Sequence, residues 1–444
     1  MSGTIPASMQ AEFRARIDQL GADGDGVCRA EGAPIHVRYA LSGETVLAEP
    51  IPGRNRAVAI EVIEPSPYRV RPPCSLFGRC GGCVLQHQSS EATLRWKVEQ
   101  VSAALRTAGF GLPDQIDTAQ SAPYTRRRMD LAIRRLHGGA LLIGLHERGN
   151  ETVVDLDECH VLEPALFALL RGLRGVLARV QAVRREGSLL VNALDGGADL
   201  LIATDGPLNA RDRAILAAFA TENAIPRIAW RAEGTQDTPE IISQTAPVSH
   251  RFGDATVQPP PGAFLQATAS GEAAILAAVL AGLPPKLPRS GRIVELYAGC
   301  GTISFALAER ARVLALEGHA AALEALRSAA GGRRIETGLR DLNRQPLLAK
   351  DFAGVGAIVL DPPHAGAGAQ MREIAASGVG HVIYVSCNPA ALQRDASQLA
   401  DSGYVLEKVS VIDQFLWSAR IEAVCVFTRK VVVRRGPMPR PNRG

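Results

Sequence analysis

The sequence predicts a protein of three parts, the last of them a doubly wound α/β sheet. Three observations carry that expectation. Apolar strand-like runs at Arg292–Tyr297, Val313–Leu316, Ala357–Leu360, His381–Ser386 and Ala423–Phe427 alternate with Ala-rich helical stretches. The first run feeds directly into Ala298-Gly299-Cys300-Gly301-Thr302, a glycine turn opening a helix. Short strand-like runs divided by Gly and Pro fill the chain up to Arg71.

The first part, 1–72, reads as a small antiparallel β-barrel. Its strands are Ile35–Tyr39, Glu44–Leu47 and Ala57–Ile63, with a turn at Gly24-Asp25-Gly26. Pro65, Pro67, Pro72 and Pro73 mark a linker. A central α+β part, 73–262, opens with three cysteines and closes in Gln258-Pro259-Pro260-Pro261. The doubly wound part spans 263–430, and 431–444 reads as a basic tail carrying Arg434, Arg435, Arg440 and Arg443.

Composition sets limits on function. Hydrophobic residues make up 46% of the 444 and charged residues 21%, which excludes a mainly disordered chain. The longest apolar stretch, around Ala273–Leu283, is too short to cross a bilayer. Glu12, Arg14, Arg16 and Asp18 interrupt the N-terminus where a signal peptide needs an apolar core. A cytoplasmic protein without membrane contact, working as a monomer, is expected. Lys and Arg exceed Asp and Glu by only 49 to 45. Any nucleic-acid contact must therefore come from local clusters such as Arg126-Arg127-Arg128 and Arg134-Arg135.

The glycine turn lets a ligand approach the backbone closely and points free N–H groups at it. Glu317 ends the next strand, where an acidic side chain can accept from ribose hydroxyls. Asp361-Pro362-Pro363 follows the strand Ala357–Leu360, at the sheet edge where α/β folds bind ligands. Cys387 stands between a buried-strand pattern and Asn388-Pro389, a helix N-cap followed by an ideal first helical residue. The helix dipole there favours thiolate. Glu422 opens the last apolar strand and reads as either a solvated strand end or a base. Cys74, Cys80 and Cys83, with Cys159 further on, suit either tetrahedral zinc or an iron–sulfur cluster.

The glycine turn, Glu317 and Asp361 together resemble a class I S-adenosylmethionine-dependent methyltransferase. The wider set is more specific: Phe264-Leu265-Gln266, Glu295–Gly301, Asp361-Pro362-Pro363, Ser386-Cys387-Asn388-Pro389 and Ile421-Glu422. It resembles the RNA uracil-5-methyltransferase family, in its iron–sulfur 23S rRNA branch. That resemblance implies a class I methyltransferase domain, an N-terminal TRAM-like barrel and a [4Fe-4S] cluster on Cys74, Cys80, Cys83 and Cys159. It also implies Cys387 as nucleophile and Glu422 as base. Gln266, Tyr297, Thr302, Glu317, Asp341 and Asp361 would line the S-adenosyl-L-methionine pocket, and the substrate would be 23S rRNA or its precursor. The family usually has Arg where His364 stands, and often Asn where Thr268 and Thr302 stand. The competing readings are an RNA cytosine-5-methyltransferase and a non-catalytic iron–sulfur RNA-binding protein.

Overall fold

The computed structural model describes residues 11–30, 33–235, 237–287 and 291–429, so the basic tail lies outside the described residues. Six strands open the chain: β1 (Phe13–Arg16), β2 (Gln19–Leu20), β3 (Gly26–Ala30), β4 (Ala33–Arg38), β5 (Thr45–Pro50) and β6 (Arg56–Glu64). They form one sheet in the order β1-β5-β6-β4-β3-β2, antiparallel except between β4 and β6. Alternate residues such as Ile35, Val37, Val46 and Ala48 fill its core.

The segment after the cysteines does not stay with the central part. Helix α1 (Ser90–Thr107) and strand β7 (Asp117–Gln120) join the C-terminal sheet. The central sheet then has β8 (Arg128–Arg135), β9 (Leu141–His146), β10 (Val153–Asp155), β11 (Glu186–Leu194), β12 (Gly197–Thr204), β13 (Arg227–Ala232) and β14 (Glu240–Gln244). Its order is β10-β9-β8-β11-β12-β13-β14. Helices α2 (Pro164–Leu177) and α3 (Ala210–Glu222) cover one face through Leu170, Leu173, Leu216 and Phe219. A short hairpin, β15 (His250–Phe252) and β16 (Ala255–Val257), leads onward.

The C-terminal sheet takes β17 (Arg292–Leu296), β18 (Arg312–Glu317), β19 (Ile335–Leu339), β20 (Val355–Leu360), β21 (His381–Ser386), β22 (Val405–Asp413) and β23 (Glu422–Thr428). Its helices are α4 (Ala269–Ala281), α5 (Ser304–Arg310), α6 (Ala320–Ala329), α7 (Ala369–Ser377) and α8 (Pro389–Asp401). The strand order is β19-β18-β17-β20-β21-β23-β22-β7. Helical residues Ile275, Val279 and Leu326 pack on one face, against Ile293, Val359 and Ile383. Val101, Leu105, Ile374 and Leu392 pack on the other, against Val294, Ile358 and Tyr384. Burial on both faces explains why these strands read as unbroken apolar runs rather than alternating ones.

Two features of this topology place the site. The order reverses between β17 and β20, and ligands bind beyond the carboxyl ends of strands at such a switch point. Strand β23 runs antiparallel to β21 and β22, so its first residue, Glu422, lies at the edge where β21 ends. Ser386 pairs with Ala423, which sets Cys387 and Glu422 at adjoining strand ends.

Candidate active site

The turn after β17 is built for close approach. Tyr297, Gly299 and Gly301 have positive φ, a conformation that glycine tolerates and tyrosine adopts only under constraint. A Cβ at Gly301 would meet Leu326 Cδ1 at 2.6 Å, so the helix behind demands glycine there. At Gly299 an added Cβ would meet nothing within 4 Å, which leaves the outer side of the turn open. Gly299 N–H donates to Glu317 Oε2 at 2.8 Å and His319 N–H donates to Oε1 at 2.7 Å. Glu317 therefore holds the turn through both carboxylate oxygens.

Beneath the turn, Glu295 is buried and bonded to the Ser304 hydroxyl. Burial pushes its carboxyl up to about 8. The Tyr297 hydroxyl is buried without a partner, and burial together with Asp395, Asp341 and Glu317 raises its pKa. Thr302 is half-buried in the turn. Asp341 is exposed, its Oδ1 accepting from Asn343 N–H at 3.0 Å.

A buried polar chain links the other predicted residues through one that the sequence did not single out, Gln414. Ala267 N–H donates to Gln414 Oε1 at 2.9 Å, which fixes the amide orientation. Gln414 Nε2 then donates to Gln266 Oε1 at 2.7 Å and to Glu422 Oε2 at 2.9 Å. Gln266 Nε2 donates to Asp361 Oδ2 at 3.2 Å. Glu422 Oε1 is buried with no partner. Burial, then the neighbouring Asp361, raises the Glu422 carboxyl well above the usual range, and burial pushes Asp361 up to about 7. Asp361 is thus poised to hold or take a proton near neutrality, and burial favours the protonated form of Glu422. Thr268, standing where the resemblance expects Asn, caps α4 by accepting from Gly271 N–H at 2.9 Å.

Cys387 is half-buried, and its Sγ lies 3.6 Å from His364 Nδ1. The helix N-terminus alone argued for a thiolate. The pocket overrides it: burial, Glu422 and Asp361 push the thiol up to about 11, with Arg420 opposing.

The cysteines predicted as a cluster are all free thiols and all half-buried. Each of Cys74, Cys80 and Cys83 is raised by burial and further by other members of the set, Cys159 among them in every case. Four thiols near one another suit iron–sulfur ligation by donor type. Among the described residues, however, no group of three or more His, Cys, Asp or Glu has metal-binding geometry. The basic run is only partly available to phosphate. Arg127 is buried against Glu272 and donates to the Gln266 carbonyl at 3.1 Å. Arg135 is spent on carbonyls at the end of α2 and beyond. Arg126, Arg128 and Arg134 remain partly exposed.

The fold matches that of the Pyrococcus abyssi tRNA (uracil-54, C5)-methyltransferase, solved in complex with S-adenosyl-L-homocysteine. The TM-score is 0.69 at 20% identity, over 94% of this chain and 100% of that one. The C-terminal sheet and its glycine turn form a class I methyltransferase domain. The signature of the tRNA (uracil-5-)-methyltransferase family matches residues 322–430. An RNA methyltransferase of Mesorhizobium japonicum is 37% identical over 95% of this chain and 98% of its own length. The 23S rRNA (uracil(1939)-C(5))-methyltransferase RlmD of Chromohalobacter salexigens is 34% identical over 93% of this chain and 88% of its own. The chain belongs to the RNA (uracil-5-)-methyltransferase family and is an enzyme of that kind. No helix among the described residues is long and apolar enough to cross a membrane.

Proposed function

We propose that this enzyme methylates C5 of a uridine in 23S rRNA, with Cys387 as nucleophile and Glu422 as base. The observation that carries the reading is the placement of these two residues at adjoining strand ends, with Glu422 Oε1 buried and unpartnered. C5 of uracil is too weak a nucleophile to take a methyl group unaided. Addition of the Cys387 sulfur at C6 turns the ring into an enolate whose C5 can attack. S-adenosylmethionine supplies the methyl group. Glu422 then removes the C5 proton through Oε1, and the sulfur leaves. Asp361, tied to Gln266, faces the same pocket and is placed to bond the uracil edge.

Gln266, Tyr297, Thr302, Glu317, Asp341 and Asp361 are the residues proposed to hold the cofactor. Glu317 would take the ribose hydroxyls, and the unpartnered Tyr297 hydroxyl would find its partner on binding. The small N-terminal sheet is read as a TRAM-like RNA-binding barrel. Cys74, Cys80, Cys83 and Cys159 are read as the ligands of a [4Fe-4S] cluster. A target uridine must leave its stack before a thiol can reach C6, so single-stranded loops are the preferred substrates. A cytosine-5 enzyme normally carries a second cysteine after Asp-Pro-Pro, and His364 occupies that position here.

The two side chains are tested against each other with ribosomal RNA and S-adenosylmethionine. Cys387→Ala forms neither product nor covalent adduct. Glu422→Gln accumulates a methylated RNA adduct that survives denaturing electrophoresis. Normal turnover by Cys387→Ala would refute the mechanism. Turnover without an adduct in Glu422→Gln would move the base elsewhere. Loss of 5-methyluridine from 23S rRNA in a deletion strain checks the substrate.

A further inference from the structure

We propose that His364 takes the proton from the Cys387 thiol and holds the resulting thiolate as an ion pair. The inference rests on the reading of Cys387 as nucleophile and adds the group that makes it one. His364 Nδ1 stands 3.6 Å from Cys387 Sγ, within reach of a hydrogen bond to sulfur.

The loop that carries His364 is held from both ends. Asn388 Nδ2 donates to the His364 carbonyl at 2.9 Å and lies 3.4 Å from Nε2. Ala367 N–H donates to Asp395 Oδ2 at 2.7 Å, and Tyr384 donates to the same oxygen at 2.6 Å. Pro362 and Pro363 stiffen the approach. The imidazole is exposed.

The surroundings explain why such a group is needed. Asp361 from the end of β20 and Glu422 from the start of β23 both disfavour a thiolate at Cys387. Arg420, from the loop between β22 and β23, favours it but is itself exposed. Arg394 on α8 turns away to the Ala365 carbonyl at 3.2 Å. His364 is a titratable side chain within hydrogen-bond distance of the sulfur. An arginine at this position, usual in the family the sequence resembles, can steady a thiolate but cannot accept its proton. A histidine can do both.

The proton balance closes. The S–H bond breaks and its proton moves to Nδ1, giving an imidazolium. The sulfur pair forms the bond to C6, and the C5–C6 π pair moves onto the C4 carbonyl as the enolate. After methyl transfer, Glu422 takes the C5 proton and the C–S pair returns to sulfur. The thiolate is regenerated beside the imidazolium, so the one proton released per turnover leaves through Glu422.

The test is the pH profile of Cys387 alkylation by iodoacetamide in the full-length protein, resolved from the other thiols by peptide mass spectrometry. Near pH 7, His364→Gln should react at least about tenfold more slowly than wild type, one pK unit or more. His364→Arg should recover much of the reactivity as a fixed cation. Superimposable profiles for wild type and His364→Gln, with Cys387→Ala inactive, would overturn the His364 step alone. An active Cys387→Ala would instead overturn the nucleophile assignment on which it rests. Thermal melts of the His364 variants, an exposed site, separate a lost proton acceptor from a lost fold.

Discussion

Glu295 shows how a single buried side chain couples the cofactor turn to pH. Its folded pKa of about 8 lies above the ordinary value of 4.5 because burial penalises the charged form. Below the ordinary value both folded and unfolded chains carry the proton, and Glu295 contributes nothing to pH dependence. Above it the unfolded chain ionises while the folded one keeps its proton, so stability falls as pH rises towards the folded pKa. Glu295→Gln can still accept from Ser304 and carries no such penalty. Its melting-temperature advantage over wild type should therefore grow from about pH 5 to about pH 8. A constant offset across that range would mean that Glu295 is not protonated in the fold. Glu295, Glu317, Asp361 and Cys387 were legible in the sequence because each sits at or directly after an apolar run that ends at one sheet edge. Gln414 was not. It is a glutamine in an unremarkable loop, and its role comes from Gln266, 148 residues away in sequence. The contact between His364 and Cys387 was equally hidden, since the two stand 23 positions apart with a helix and a strand between them.

At the scale of elements, α1 and β7 are the pieces that sequence patterning assigned to the central part and folding gave to the last. Strand β7 is a four-residue polar edge, Asp-Thr-Ala-Gln, whose pairing with β22 carries no apolar signature. Strand β22 itself is broken by Glu407 and Lys408 at a register shift, so it did not read as a strand. The interior parallel strands read cleanly because both their faces are buried. What fixes α1 to the sheet is a buried ion pair. Lys97 Nζ lies 2.6 Å from Asp413 Oδ1, with both side chains fully buried. Lys97 also donates to the Phe415 carbonyl at 3.2 Å, and Gln120 donates to Asp413 Oδ2 at 3.0 Å. Lys97→Met leaves Asp413 buried and uncompensated, a cost of about 3–5 kcal/mol. Adding Asp413→Leu removes the stranded charge, so the double variant should regain most of that loss in urea unfolding. Simple additivity of the two losses would show that the pair does not act as a unit. Asp413 precedes Gln414, so a loosened Lys97 variant should also lose activity before it unfolds.

At the scale of the whole molecule, the cysteine segment reaches across to the catalytic loop. Val84 and Leu85 N–H both donate to the Trp417 carbonyl, at 2.8 and 2.9 Å. Trp417 has positive φ and lies between Gln414 and Glu422, within the loop that joins the polar chain to the base. Arg126 reaches from the central part to within 5.9 Å of the Phe415 ring in the same loop. A cluster on Cys74, Cys80, Cys83 and Cys159 would fix the segment that Val84 and Leu85 terminate. It would thereby brace Glu422 without exchanging an electron with the substrate. Anaerobically purified protein should then be brown and hold about four irons per chain. Cys83→Ser should lose the colour and most of the iron. It should still bind S-adenosylmethionine, because the glycine turn after β17 and Glu317 on β18 are separated from β22 and β23 by β20 and β21. Its defect should fall on proton removal, so that the covalent RNA adduct accumulates as it does in Glu422→Gln, though less completely. Stoichiometric zinc in place of iron would refute the cluster. An iron-free Cys83→Ser enzyme with unchanged turnover would show that the catalytic loop holds its shape through Lys97 and Gln414 alone.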